Sequence, residues 1–186
     1  MIIRKAVRSD ANDVARHLLL AMEEIVFGFI GERSSDKAKA FMCHFAAQTQ
    51  NQYSYQNCWV GEEGNEVVAA INVYDGADLH RLRAPVIAYL KKQFGRDVQP
   101  EDETQAGEFY IDTLGVDPRM QGKGIGSQML WFVIDEFVHR RKLSLGLLVE
   151  KANPRAKELY VRLGFSYAGE KTLIGKPMEH LQMKNE

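Results

Sequence analysis

Glu108-Phe109-Tyr110-Ile111-Asp112-Thr113-Leu114-Gly115-Val116-Asp117-Pro118-Arg119-Met120-Gln121-Gly122-Lys123-Gly124-Ile125-Gly126-Ser127 is the stretch whose reading decides the fold. Its first part, Glu108 to Val116, reads as a central strand. A glycine-rich turn follows, and then an amphipathic helix that runs to about Arg141. Gly122, Gly124 and Gly126 leave the backbone amides unobstructed, and the helix start adds partial positive charge. Together they make an anion cradle suited to phosphate, with Lys123 and Arg119 near enough in sequence to add charge. A tight turn accounts for one or two of these glycines. Each costs ~1 kcal/mol in a helical position, so all three ask for a further reason. A P-loop needs Gly-Lys followed by Ser or Thr, and here Gly122-Lys123 precedes Gly124. A dinucleotide fingerprint needs a third glycine where Ser127 stands, and glycines straight after the strand, where Asp117 to Gln121 intervene.

Outward from that turn, the pattern is α/β. Ile2 to Val7 reads as a strand, and Ser9-Asp10 caps a helix with Val14, Leu18, Met22 and Ile25 on one side, closed or bent by Gly28 and Gly31. A second helix opens at Ser34-Ser35-Asp36 and runs to about Gln50. Cys58–Glu62 and Glu66–Tyr74 form a hairpin across Glu63-Gly64-Asn65. Ala77 to Phe94 is helical, and the polar, acidic segment Arg96–Gly107 is a loop. Leu143–Val149 is a nearly continuous apolar strand, as expected where both faces are covered. Asn153-Pro154 opens a last helix that Gly164 closes, and strands fit Phe165–Ile174 and His180–Lys184.

The chain has 186 residues, 45% apolar and 26% charged, with a formal charge of -1. That is one domain with a real core and no global basic field for nucleic acid or anionic lipid. No apolar run is long enough to span a bilayer, and the N-terminal residues enter a strand, so the expected location is cytoplasmic, with no membrane and no nucleic-acid partner. Cys43 and Cys58 read as small buried hydrophobes; His44 is adjacent to Cys43, but neighbouring helical residues do not face each other. The five histidines have no metal spacing, so no metal is expected.

These residues resemble the GNAT superfamily of N-acetyltransferases in its bacterial form. Gln121, Gly124 and Gly126 match its main motif, which lies between the fourth strand and third helix of that fold. Tyr110 to Pro118 resembles the strand that leads into it, and Asn153-Pro154-Arg155-Ala156 through Tyr160 to Leu163-Gly164-Phe165 resembles a second motif. The order of elements agrees along the chain. The resemblance implies a single domain over 1–186, with a mixed, mostly antiparallel sheet split between strands four and five and flanked by helices. It implies acetyl-CoA as acyl donor, with pantetheine paired to the backbone of Leu114-Gly115-Val116. The amides of Gly122, Lys123, Gly124, Ile125 and Gly126 would hold the pyrophosphate, flanked by Gln121 and Ser127. Asn153 and Tyr160 would stand near the thioester.

The chemistry implied is attack of a neutral amine on the thioester carbonyl. An alkyl amine has a pKa near ~10.4, so a base or water chain must take its proton. Glu108 and Asp112 share strand parity with Leu114 and are the candidate bases, acting through water. The position at which histone-type relatives carry a base glutamate falls on Tyr110. Glu108 also reads as a solvated strand end, and Asp112, between apolar neighbours, as a structural acceptor. Tyr160 is the candidate acid for the leaving thiolate, though it shares a helical face with Ala156 and Leu163 and also reads as core. Asn153 is first a helix N-cap, and a strand amide near Leu114 or Val116 would hold the oxyanion. The acceptor is a small-molecule or peptide amine. Transfer of another acyl group, or to oxygen, and a non-catalytic acyl-CoA-binding module remain alternatives, and a homodimer stays open. Glu23, Glu24, Asp75 and Asp78 read as an acidic mouth or, more simply, as solvated faces, and His80 overhangs the acceptor side.

Overall fold

A computed structural model describes residues 1–184; the last two of the expected domain lie outside the described residues. The strands are β1 (Ile2–Lys5), β2 (Cys58–Glu63), β3 (Glu66–Asp75), β4 (Phe109–Val116), β5 (Leu145–Glu150), β6 (Ser166–Leu173) and β7 (Lys176–Met183). The helices are α1 (Ala11–Ile30), α2 (Ser35–Ala46), α3 (Leu79–Phe94), α4 (Ile125–Ile134) and α5 (Pro154–Arg162). One sheet runs in the order β1-β2-β3-β4-β5-β7-β6. Every pair is antiparallel except β4 with β5.

That parallel pair is short. Phe109, Tyr110 and Ile111 face Leu145, Gly146 and Leu147, and pairing then stops. β4 continues against β3 to Val116 while β5 continues against β7 to Glu150, so the strands diverge as the sequence implied. The edge of β4 beyond Asp112 therefore has no strand partner on the β5 side.

Helices cover both faces. Leu18, Val26, Phe41 and Phe45 fill the layer under α1 and α2, and Met129, Leu130, Ile134 and Leu181 fill the layer under α4. β3 is buried from Val67 to Tyr74, which explains its unbroken apolar run. Gly115 lets α1 lie directly on β4, because a Cβ there would meet the His17 carbonyl oxygen at 1.8 Å. Gly76 plays the same part at the start of the segment between β3 and β4. A Cβ there would meet the Gln105 carbonyl oxygen at 2.1 Å, and the Gly76 amide donates to the Glu108 carbonyl at 2.8 Å.

Some boundaries differ from expectation. α1 ends at Gly31, with φ 74°, and departs from helical geometry at Met22 (φ −128°) rather than at Gly28. α2 stops at Ala46, short of the expected Gln50, because Asn51, Gln52, Tyr53 and Ser54 fold inward as a buried loop. The helix expected to Arg141 is α-helical to Ile134 and continues as a π-turn over Asp135–Arg140. β7 begins at Lys176, well before His180, because Ile174 (φ 51°) and Gly175 (φ 70°) make a two-residue hairpin turn. Pro177 hides that start, since proline is a weak strand former.

Candidate functional site

The glycine turn sits where β4 ends. Gly122 (φ 79°) and Gly124 (φ 77°) adopt left-handed backbone, and a Cβ on either would meet nothing within 4 Å. Left-handed φ favours glycine, and the open space leaves the amides uncovered. Gly124 caps α4 without a side-chain hydrogen bond, so no capping side chain occupies the first α4 amides. Gln121 and Lys123 are exposed, Ser127 half-buried and Ile125 buried under the turn. Arg119 is exposed and paired. Its guanidinium closes on Asp117 at 2.8 Å and holds that carboxyl well below its ordinary value.

A cleft of about 300 Å³ opens where β4 and β5 part. Asp112, Leu114, Asn153 and Tyr160 all line it, two from β4 and two from α5 and its N-cap. Asn153 caps α5, its Oδ1 accepting from the Ala156 amide at 3.2 Å. Tyr160 packs edge-on to Phe165 at 6.1 Å, and burial raises its hydroxyl pKa. It is thus both core aromatic and cleft group. The non-helical turn of α1 brings Ala21, Met22 and Ile25 to the opposite wall.

The sequence reading missed the densest polar cluster of the cleft. Glu103, from the segment read as an acidic loop, is 7% exposed and stands beside Asp112. Gln52 Nε2 donates to Glu103 Oε1 at 2.6 Å and to Asp112 Oδ2 at 2.9 Å. The Tyr74 hydroxyl reaches the same two oxygens at 2.9 and 3.0 Å. Thr113 Oγ1 donates to Asp112 Oδ1 at 2.7 Å. Arg83, itself 5% exposed, anchors the Glu103 loop by donating to the Pro100 and Glu101 carbonyls at 3.1 and 3.2 Å. Burial, then the charge of Asp112, pushes the Glu103 carboxyl up to about 7 against the pull of Arg83. The unbroken run of amide and hydroxyl side chains from Gln48 to Asn57 was the available signal; periodicity does not report it.

Glu108 is neither a solvated strand end nor a lining residue of the cleft. Its carboxylate is buried, accepting from Thr104 Oγ1 at 2.7 Å, from Gln182 Nε2 at 2.6 Å and from His180 Nε2 at 2.8 Å. The carboxylate crosses over Gly146 of β5 to reach β7, and a Cβ on Gly146 would lie 2.0 Å from Glu108 Oε2. Burial alone would raise the Glu108 pKa; the three hydrogen bonds outweigh it and hold the group below its ordinary 4.5. A lowered folded-state pKa means stability that is present above 4.5 and lost as pH falls through the folded value. Glu108→Gln turns one acceptor oxygen into a donor facing donors, which costs about 1–3 kcal/mol. Urea unfolding from neutral to acid pH should show that loss at neutrality and a shallower acid decline than wild type. An equal decline in both proteins would remove Glu108 as the brace.

The other expected acids are spent elsewhere. Glu24 pairs with Arg33 at 2.7 Å, Asp78 with Arg81 at 2.8 Å, and Asp75 caps the turn before α3. None of Glu23, Glu24, Asp75 and Asp78 lines the cleft, so they do not form its mouth. His80 is exposed, 3.1 Å from Asp102, and does not line the cleft. Cys58 is buried, its thiol pushed up to about 12 by burial, and Cys43 is half-buried. Among the described residues no His, Cys, Asp and Glu side chains group to hold a metal, and no helix is long and apolar enough to cross a membrane.

The open turn and the parted strands match a known pattern in sequence as well as geometry. The family model for the acetyltransferase (GNAT) family matches residues 22–165. The chain belongs to the GNAT family of acetyltransferases. This GNAT chain is 43% identical over 90 residues to a mycothiol acetyltransferase of Propionibacterium freudenreichii subsp. shermanii, covering 45% of the chain and 27% of that protein. It is 30% identical over 84 residues to the spermine/spermidine N(1)-acetyltransferase of Bacillus subtilis, covering 45% of the chain and 55% of that protein. The chain thus spans 27% and 55% of the curated relatives it matches. A solved acetyltransferase structure superposes along the full length of both chains with TM-score 0.81 and 30% identity. An N-acetyltransferase from Staphylococcus aureus Mu50 gives TM-score 0.81 at 20% identity, covering 98% of this chain and all of that one, and carries the fold alone. The family uses acetyl-CoA as acyl donor.

Proposed function

We propose that this protein moves an acetyl group from acetyl-CoA to a primary amine by direct attack within a ternary complex. The observation that carries this reading is the divergence of β4 from β5 after Ile111 and Leu147, with the open glycine turn at the end of β4. The unpaired edge of β4 at Leu114, Gly115 and Val116 offers backbone groups to the pantetheine amides. The uncovered amides from Gly122 to Gly126, flanked by Gln121 and Ser127, suit a diphosphate. When bound, the donor supplies a thioester for the amine to attack. Tyr160 protonates the departing sulfur, Asn153 holds the entry of α5 beside it, and Asp112 serves as base on the acceptor side. Glu108 acts in this reading as a brace for Thr104 and β7. Relatives named for mycothiol and for spermine/spermidine support a small-molecule acceptor. Two unpaired thiols suit a reducing cytoplasm.

Calorimetry with acetyl-CoA, followed by thiol release with a panel of primary amines, tests the assignment. Binding and amine-dependent release are expected; binding without release from any amine would leave an acyl-CoA-binding module instead. Tyr160→Phe should lower kcat about 100-fold, the low end for a general acid, with acetyl-CoA affinity within about twofold of wild type. Equal loss of both would remove Tyr160 as the acid.

A further inference from the structure

The four polar atoms Gln52 Nε2, Tyr74 Oη, Glu103 Oε1 and Asp112 Oδ2 make five contacts of 2.6 to 3.1 Å. Gln52 brings two protons to them and Tyr74 one, so three protons face five contacts. Both carboxylate oxygens compete for the single Tyr74 proton. A fourth proton, on a carboxyl, removes the competition: Glu103 donates to the Tyr74 oxygen, and Tyr74 donates to Asp112. Two carboxylates drawn this close in a buried site do not both ionise readily.

We infer that Glu103 and Asp112 share one proton through Tyr74 and together form the acid–base centre that deprotonates an alkylammonium acceptor. This rests on the acetyl-transfer reading above. Three observations lie outside the cluster itself. Both carboxyls line the cleft that Tyr160 and Leu114 also line. Tyr53 and Tyr110, 2% and 3% exposed, line the same cleft. A tyrosine oxygen can accept from a ligand that brings its own donors, as an ammonium does. Finally, the cluster is held rigidly. The Gln52 amide donates to the Leu82 carbonyl at 3.0 Å and its carbonyl accepts from Asn72 Nδ2 at 3.0 Å, while Arg83 anchors the Glu103 loop.

The groups facing Glu103 come from every neighbouring element. Asp112 and Tyr110 face it from β4, Tyr74 from β3, Tyr53 and Gln52 from the buried loop, and Arg83 from α3. Arg83 lies 3.2 Å from Glu103 Oε1 and favours its ionised form. Burial and Asp112 outweigh it, so the carboxyl titrates near 7 rather than 4.5. An incoming ammonium reverses the balance: its charge replaces the shared proton, which leaves to solvent. The pair then takes one proton from the ammonium, and the freed nitrogen lone pair attacks the thioester carbonyl carbon. A C–N bond forms, the C–S electron pair leaves on sulfur, and sulfur takes the Tyr160 hydroxyl proton. The surplus nitrogen proton passes to solvent, which reprotonates Tyr160.

Infrared difference spectra of the free, full-length protein across pH 7 test the shared proton without any acceptor. A protonated-carboxyl signal that titrates near that pH, disappears in Glu103→Gln and shifts in Tyr74→Phe is expected. Its absence from wild type, or its survival in Glu103→Gln, overturns the pair whether or not the variants fold as well as wild type. The base role is read from kinetics with any amine that supports thiol release. Glu103→Gln should lower kcat at least about 100-fold and remove the acid limb of the pH profile, with Glu103→Asp recovering part of both. Near-wild-type turnover with an unchanged pH profile overturns that role. Failure of every amine to release thiol would instead count against the acetyl-transfer reading, while the infrared signal still reports on the pair.

Discussion

Replacing Gly115 by alanine is expected to lower the unfolding temperature by roughly 6–12 °C. The added Cβ would lie 1.8 Å from the carbonyl oxygen of His17 and 2.6 Å from its carbonyl carbon. Those are main-chain atoms in the body of α1, so no side chain can swing aside to relieve the contact. α1 must lift from β4, or β4 must bend. Overpacking of this kind costs up to about 3 kcal/mol, and each kcal/mol moves the midpoint by ~2–4 °C in a chain of this length. The same displacement carries Met22, which lines the cleft and lies 3.6 Å from Thr113 Oγ1, so acetyl-CoA affinity should weaken in step with stability. Thermal unfolding followed by circular dichroism reads the first effect. A midpoint within about 2 °C of wild type would mean that α1 does not press on the strand.

Gly124→Glu should raise the dissociation constant for acetyl-CoA at least about 100-fold, equivalent to ~2.7 kcal/mol. Two effects add. The left-handed φ of 77° costs an L-residue about 1–2 kcal/mol. The new carboxylate then stands among the amides proposed to hold a diphosphate, where like charges repel. Because no atom lies within 4 Å of the place a Cβ would take at Gly124, no clash adds to that backbone cost, and the midpoint should fall by roughly 2–8 °C with the protein still folded. Gly124→Ala separates the two effects, since it keeps the backbone cost and omits the charge. Isothermal calorimetry on both variants provides the measurement. Equal affinities for alanine and glutamate would show that no anion is held at the turn.

The glycine turn and the parting of the strands were legible because main chain builds them. Glycine spacing at Gly122, Gly124 and Gly126, the capping pair Asn153-Pro154 and the strand run to Val116 each leave a local signature in sequence. The polar cluster of the cleft was not, because side chains distant along the chain build it. Gln52, Tyr74 and Glu103 converge through a buried loop, a strand and a tethered segment, and each alone reads as ordinary loop or core. Glu108 misled for a related reason. Its position at the start of β4 looks solvent-facing, yet Gly146 removes the side chain that would separate it from His180 and Gln182. A glycine in an apolar strand marks such a passage only once the partner across it is known.

The segment from Gly76 to Glu108 leaves and rejoins the sheet at a single point, fastened by the Gly76 amide on the Glu108 carbonyl. Its entry and exit being adjacent, its length can change without moving the strands on either side, provided that Leu79, Leu82, Val86 and Leu90 still fill the core. Swapping the segment would exchange Arg83 and Glu103, and with them one polar wall of the cleft, and the replacement must also supply the packing of Leu79 and Leu82 on Tyr110 of β4. That wall and the glycine turn are thereby written in separable pieces of one chain.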